Sequence, residues 1–211
     1  MPTLTREKPP SARARLLQAA LTIIRAKGYS ATSIDDLCTA AGVTKGAFFH
    51  HFPTKEALAV AAADHWSEIT GRMFAAAPYH THADPLARVL GYIDFRASLL
   101  AGPVEGFTCL AGTMVQEVFA EHPPIREACD TAITTHAENL EADIAEAMAA
   151  HHVTNTTARS LALHTQAVVQ GAFILAKARG GPDLARETVT HLRRYFELLF
   201  QSNTTQGEPK P

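Results

Sequence analysis

Residues 42–52 read GVTKGAFFHHF: a glycine, a threonine able to cap a helix, a lysine, then three phenylalanines and two histidines before Pro53. Thr44 is placed to open a helix, and Pro53 disfavours α geometry at Phe52, so the spacing predicts a short helix ending near His51. Phe48 and Phe52, four residues apart, share one face and are expected in the core. Phe49, His50 and His51 are left facing outward. Lys45 falls in the first turn, where it can meet a phosphate or a base edge, and Gly46 lets backbone come close to a partner.

Upstream, Ser33 followed by Asp36 resembles a capping box and opens a second short helix through Ile34, Leu37 and Ala41, which Gly42 breaks. Two short helices joined by a glycine-bearing turn form the helix-turn-helix pattern, whose second helix enters the major groove. Ahead of them, Ser11 caps a helix over 12–27 with Leu16, Leu17, Ala20, Leu21 and Ile24 in one stripe, and Gly28 supplies its stop. Thr54 caps a fourth helix carrying Leu58, Ala62, His65, Trp66 and Ile69.

The remaining chain alternates apolar helical periods with turn-rich stretches such as APYHTHADP, AGPVEG and ARGGPD. Five more helices are expected near 85–101, 107–120, 124–150, 157–178 and 184–200, giving an all-α protein of about nine helices. The domains expected are a helix-turn-helix head over 11–53 and a larger helical body over 54–201, between polar, disordered ends at 1–10 and 202–211.

Charge follows the same division. Residues 1–55 hold eight basic and three acidic residues, a net +5, whereas the rest holds 11 basic and 18 acidic, a net −7. A basic head on an acidic body points to a polyanion partner for the head alone. Three widely spaced cysteines, Cys38, Cys109 and Cys129, provide no disulfide or zinc pattern, and no long apolar run or leader is visible, so a cytoplasmic protein without membrane contact is expected. The eleven histidines fall into no HExxH-like arrangement and there is no GxSxG, so neither an enzyme nor a metal or cofactor site is indicated. A helical enzyme or interaction module remains the alternative reading, but it leaves the basic, glycine-bearing third helix unexplained.

The stretch GYSATSIDDLCTAAGVTKGAFFHHFPTKEAL, residues 28–58, resembles the DNA-binding region of the TetR/AcrR family of one-component transcriptional repressors. The resemblance implies a second, larger helical domain for ligand binding and dimerisation, a double-stranded operator as partner, and a small-molecule effector that releases it. It also implies DNA contacts at Thr44, Lys45, Ala47, Phe49, His50 and Lys55, with Thr32 or Ser33 reaching phosphate. Family-typical tyrosines fall on Phe49 and His51, and of these His51 can still donate a hydrogen bond.

In the body, the helices over 157–178 and 184–200 are apolar on several sides and are expected to form a four-helix homodimer interface through Val168, Phe173, Leu192, Phe196 and Leu199. Trp66, Tyr92, Phe95, Phe107, Met114, Gln166, Gln170 and Phe173 mix bulk with a few polar groups, as a ligand pocket does. Cys109 stands at the start of the helix expected over 107–120, where the helix field favours thiolate. With GAFILAKA further on, the segment FTCLAGTMVQE resembles a subgroup of the family that senses electrophiles or oxidants, in which positions matching Cys109 and Lys177 lie close together; Thr108 stands where glycine is usual.

Overall fold

The structure, a computed structural model, describes residues 9–201. The polar ends expected at 1–10 and 202–211 therefore lie outside the described residues, apart from Pro9 and Pro10. Among the described residues there are ten α helices, one 3-10 turn at Pro78–Thr81, and no strand.

The head is built from α1 (Ala12–Lys27), α2 (Ile34–Ala41) and α3 (Lys45–His51). Its helix starts are fixed by side chains: Ser11 accepts from the Ala14 amide, Thr44 from Ala47, and Ser33 and Asp36 complete both limbs of a capping box. Gly42 ends α2 in the left-handed region, φ 60°, which sets the turn into α3. Leu16, Leu21, Leu37 and Phe48 interlock in the fully buried centre. Phe48 lies edge-on to Phe49 and tilted against Phe52.

α4 (Lys55–Ala75) is 21 residues long, about 30 Å at the helical rise. Its first half places Leu58, Ala59, Ala62 and Ala63 in the head core, while Phe74 near its end belongs to a second core. α5 (Pro85–Ser98), α9 (Ala158–Arg179), α10 (Asp183–Gln201) and the second half of α8 (Pro123–Ala150) build that second core around Val89, Ile93, Ile144, Ala172 and Phe196.

The helix expected over 107–120 is present but starts three residues late, and a short extra helix forms ahead of it. α6 (Val104–Phe107) and α7 (Leu110–Val118) flank an extended Thr108 and Cys109, ψ 158° and 128°. At the break the Arg25 guanidinium of α1 donates to the carbonyls of Gly106 and Thr108, at 3.2 and 3.5 Å, which no helical amide takes up there. α7 then packs beneath the head, adding Leu110, Ala111, Met114 and Val118 to its core, with Ile125 and Cys129 from the start of α8.

The interface expectation needs correcting at single residues. Phe173, Leu192 and Phe196 are buried within the protein's own second core, with Val168 and Leu199 packed against it. The outward apolar side chains of α9 are instead Leu163, Ile174 and Leu175, and those of α10 are Tyr195 and Leu198. Both helices are apolar on more than one side, and the sequence pattern did not tell which side the chain covers itself.

Candidate nucleic-acid interface and interior cavity

α3 presents a mixed outer surface. Phe49 is 51% exposed, His50 is exposed with its ring 4.9 Å from that of His51, and Ala47 is half-buried. Lys45 pairs with Asp35 at 2.8 Å, both side chains largely in solvent, and the bond and charge of Asp35 raise the lysine's pKa. An exposed pair of this kind is weak, so a phosphate can take the ammonium from Asp35. Gly46 has an ordinary negative φ, and a methyl group added there would meet nothing nearer than the Thr44 hydroxyl at 3.8 Å. The fold itself does not need glycine at that position.

Three positions implied by the resemblance do other work in the fold. Thr32 is buried and its hydroxyl donates to the Gly28 carbonyl at 2.6 Å, so that side chain does not face outward. Lys55 donates to the carbonyls of Tyr29 and Thr32, at 3.1 and 3.0 Å, and lies 4.1 Å from the centre of the Tyr29 ring. It locks the α1–α2 loop onto α4, and burial lowers its pKa. Ser33 gives its amide and hydroxyl to Asp36, whose carboxyl is held below the usual carboxylate range by Lys27 and then by Ser33.

Below the head lies a cavity of about 360 Å³ bounded by α1, α4, α5, the α6–α7 break, α8 and α9. Five of the eight residues expected in a pocket line it, Trp66, Phe107, Gln166, Gln170 and Phe173, and Cys109 lines it with them. Tyr92 stands behind the wall and faces a neighbouring space of about 260 Å³. Phe95 packs edge-on against Phe74, lining neither. Met114 is fully buried in the head core.

The sequence reading missed the cavity's polar frame. Arg96 donates to the Tyr92 hydroxyl at 2.9 Å, and the same hydroxyl accepts from Gln166 at 3.2 Å and pairs with His136 at 2.9 Å. Burial, then the positive charge of Arg96, pushes the His136 pKa down to about 3, so the ring is neutral at ordinary pH. Arg25, from the head, covers the Trp66 ring at 4.8 Å and reaches the same cavity. A signal for His136 was present: Ile125, Cys129, Ile133, His136, Leu140 and Ile144 recur at helical spacing, with one histidine in an otherwise apolar stripe.

Cys109 is half-buried at the cavity wall and caps α7, with Sγ accepting from the Gly112 amide at 3.4 Å. Lys177 bonds the Thr113 hydroxyl at 2.7 Å, one turn along α7 from the sulfur. The neighbouring Thr108 hydroxyl is fully buried and has no hydrogen-bond partner among the described residues. Burial pushes the Cys129 thiol up to about 12 and raises that of Cys38, so both act as small apolar packing groups.

Head and body meet at three further contacts. Glu117 of α7 accepts from the Ser30 amide at 2.9 Å, and its carboxylate oxygen would lie 2.2 Å from a Cβ at Gly28, whose φ is +89°. His122 at the start of α8 bonds Glu56 of α4 at 2.6 Å and meets the Tyr29 ring edge-on.

Comparison with known proteins agrees with this arrangement. Residues 16–62 match the family described as bacterial regulatory proteins, tetR family, and residues 85–192 match the tetracyclin repressor-like C-terminal domain. The chain is 46% identical over 55 residues to the helix-turn-helix-type transcriptional regulator CymR of Pseudomonas putida, a match spanning 26% of this chain but only 27% of that one. It is 31% identical to a helix-turn-helix-type transcriptional repressor of Mycobacterium tuberculosis, over 70% of this chain and 75% of that one. A solved regulatory protein of Rhodobacter sphaeroides is 25% identical and superposes with a TM-score of 0.78, over 87% of this chain and 98% of that one. The chain belongs to the TetR family of bacterial transcriptional regulators.

Proposed function

We propose that this regulator is a repressor that binds a partly palindromic operator as a homodimer and is released when a small molecule enters the cavity beneath the head. The observation that carries the reading is the shared wall. Arg25 of the head and Trp66, Ile69 and Thr70 of the connecting helix α4 line the same cavity as α8 and α9 of the body. A ligand that favours a different packing of these elements shifts the heads relative to each other, and its binding and operator binding then oppose one another by the same factor. Two reading helices must sit about one DNA turn, ~34 Å, apart, so a small change in their spacing weakens the complex.

The DNA contacts proposed are Lys45, Ala47, Phe49, His50 and His51 on α3, with its cap Thr44 and the α2 cap Ser33. The homodimer is proposed to form through the outward stripe of α9, in which Leu163, Ala167, Gly171, Ile174 and Ala178 recur at helical spacing, with Tyr195 of α10 beside it. Gly171 meets nothing within 4 Å where a Cβ would stand, which allows a partner helix to come close.

Selection of bound fragments from random DNA, followed by gel shifts at several salt concentrations, tests the reading. Specific binding should be lost in Lys45→Ala and His50→Ala without loss of helicity. Equal affinity for selected and random DNA at every salt concentration would refute it. Ile174→Glu should yield monomers in light scattering; a monomeric unsubstituted protein at micromolar concentration would refute the dimer.

Cys109 supports a second mode of release, because its sulfur stands on the cavity wall. An alkylating electrophile, whose leaving group departs as the S–C bond forms, should then release DNA from the unsubstituted protein and not from Cys109→Ser. Undiminished release from Cys109→Ser would leave reversible binding as the mechanism.

A further inference from the structure

The charges around the cavity do not balance. Of the side chains that line it, Arg25 and Arg96 are cationic, His136 is held neutral, and no aspartate or glutamate is present. The other arginines set partly inside the body have carboxylates: Arg88 reaches Asp143 and Glu146, and Arg193 reaches Asp94 and Glu197. Among the described residues neither Arg25 nor Arg96 makes a direct ion pair; Glu105, outside the cavity lining, acts on Arg25 through its charge alone and favours the guanidinium, against the larger effect of burial. Their guanidiniums rest instead on aromatic faces, Trp66 and Phe74, at 4.8 and 4.4 Å, and bond to uncharged oxygens, the Gly106 and Thr108 carbonyls and the Tyr92 hydroxyl.

We propose that the cavity takes a monoanionic amphipath, a carboxylate carried on an aromatic ring or a short branched chain, with Arg25 and Arg96 as its anion contacts. The inference rests on the reading of this cavity as the effector site and names the chemical class of the effector.

Two considerations disfavour the other classes. A cation would enter beside two guanidiniums. A neutral apolar guest would displace water from both and leave their charges desolvated without a direct partner. The apolar part of the wall, Ile69, Met73, Leu99, Ile133 and Phe173, calls for an apolar body on the anion. The volume, about 360 Å³, lies at the small end of ligand pockets, which suits one ring or a short chain.

The two arginines differ in consequence. Arg96 is held within the body by the Tyr92 hydroxyl, and it fixes where the carboxylate sits. Arg25 comes from α1 of the head and at present ties that helix to the α6–α7 break. Burial already lowers its pKa. A carboxylate is a stronger acceptor for guanidinium than a backbone carbonyl, so a bound acid draws Arg25 away from Gly106 and Thr108. The Gly28–Ser30 loop, held by Glu117, begins three residues later.

Trp66, the chain's one tryptophan, lies on the cavity wall under Arg25 and reports binding without a label. Phenylacetate and 3-methylbutanoate, their primary amides, and 2-phenylethylamine would be titrated against the full chain, with Trp66 emission and melting temperature as readouts. Operator release would be measured separately. At least one acid should bind more tightly than its amide by roughly 10- to 100-fold, the range expected for a hydrogen bond that gains a charge.

Arg96→Gln should abolish that preference and Arg96→Lys should retain part of it, with far-ultraviolet dichroism confirming that both fold. Amides that bind as tightly as acids, an amine that binds more tightly, or no response to either acid at millimolar concentration would each overturn the proposal. Acids that bind with the stated preference but leave the operator complex intact would support this assignment of ligand class and overturn the release mechanism instead.

Discussion

Gly46 separates the demands of the fold from those of DNA. It is the second residue of α3, its φ is ordinary for an L-residue, and a Cβ there would meet only the Thr44 hydroxyl, at an unstrained 3.8 Å. Gly46→Ala therefore introduces no clash inside the protein and removes backbone freedom from the unfolded chain, a gain of about 0.5–1 kcal/mol. For a chain of this length that corresponds to a rise in melting temperature of about 1–4 °C.

If backbone at Gly46 lies against the sugar-phosphate chain, the same methyl group holds α3 away from it and lengthens the Lys45 contact. Loss of one charge-assisted hydrogen bond costs about 1.5–3 kcal/mol per half-site, so a dimer on two half-sites loses about 3–6 kcal/mol, or roughly 100- to 10,000-fold in affinity. Calorimetry and fluorescence anisotropy with a selected operator fragment measure the two effects on one preparation. A raised melting temperature with unchanged affinity would refute the close approach to DNA, and a lowered melting temperature would refute the claim that the fold does not need glycine there.

Lys55→Met keeps the aliphatic stem but leaves the Tyr29 and Thr32 carbonyls without their donor, so a loss of about 2 kcal/mol is expected in urea unfolding; an unchanged midpoint would count against Lys55 as the lock of the loop. Thr108→Val replaces a buried hydroxyl that has no partner among the described residues with a methyl of similar shape, and should raise stability by about 1 kcal/mol; destabilisation would mean that the hydroxyl is satisfied. His136 titrates near 3 when folded and near 6.5 when unfolded, so below about 6.5 the unfolded chain binds the extra proton. Its contribution to stability is complete above that pH and falls by about 1.4 kcal/mol per unit as pH drops toward 3. His136→Gln should be correspondingly less sensitive between pH 6.5 and 4.5, and parallel curves for the two proteins would refute this.

Much of the head was legible because local chemistry fixes it. Ser11, Ser33, Thr44 and Thr54 cap the helices that their positions suggest, and Gly42 breaks α2. Capping and turn formation act over three or four residues, and such signals survive in one dimension. The cavity was legible only in part. Gln166, Gln170 and Phe173 announced themselves as odd residues on one helix, but Arg25 enters from a helix assigned wholly to the head. It also bonds the gap between α6 and α7 from more than eighty residues away. No window of sequence contains both partners of that contact. Likewise Thr32 and Lys55 look like surface groups until the α1–α2 loop folds back onto α4.

The core beneath the reading helices bears on how this protein may be cut and recombined. Leu110, Met114, Ile125 and Cys129 come from far along the chain, yet they pack with Leu16, Leu37 and Phe48. A fragment ending after Pro53 would lose that apolar floor together with Leu58 and Ala62 of α4, and would expose the side of α1 that rests on them. Transplanting the DNA specificity of another regulator onto this body therefore means matching the upper surface of α7 and the first turns of α8 along with the grafted residues. A chimera joined at the sequence boundary alone inherits a mismatched seam, and its two ends should melt separately where the parent melts as one.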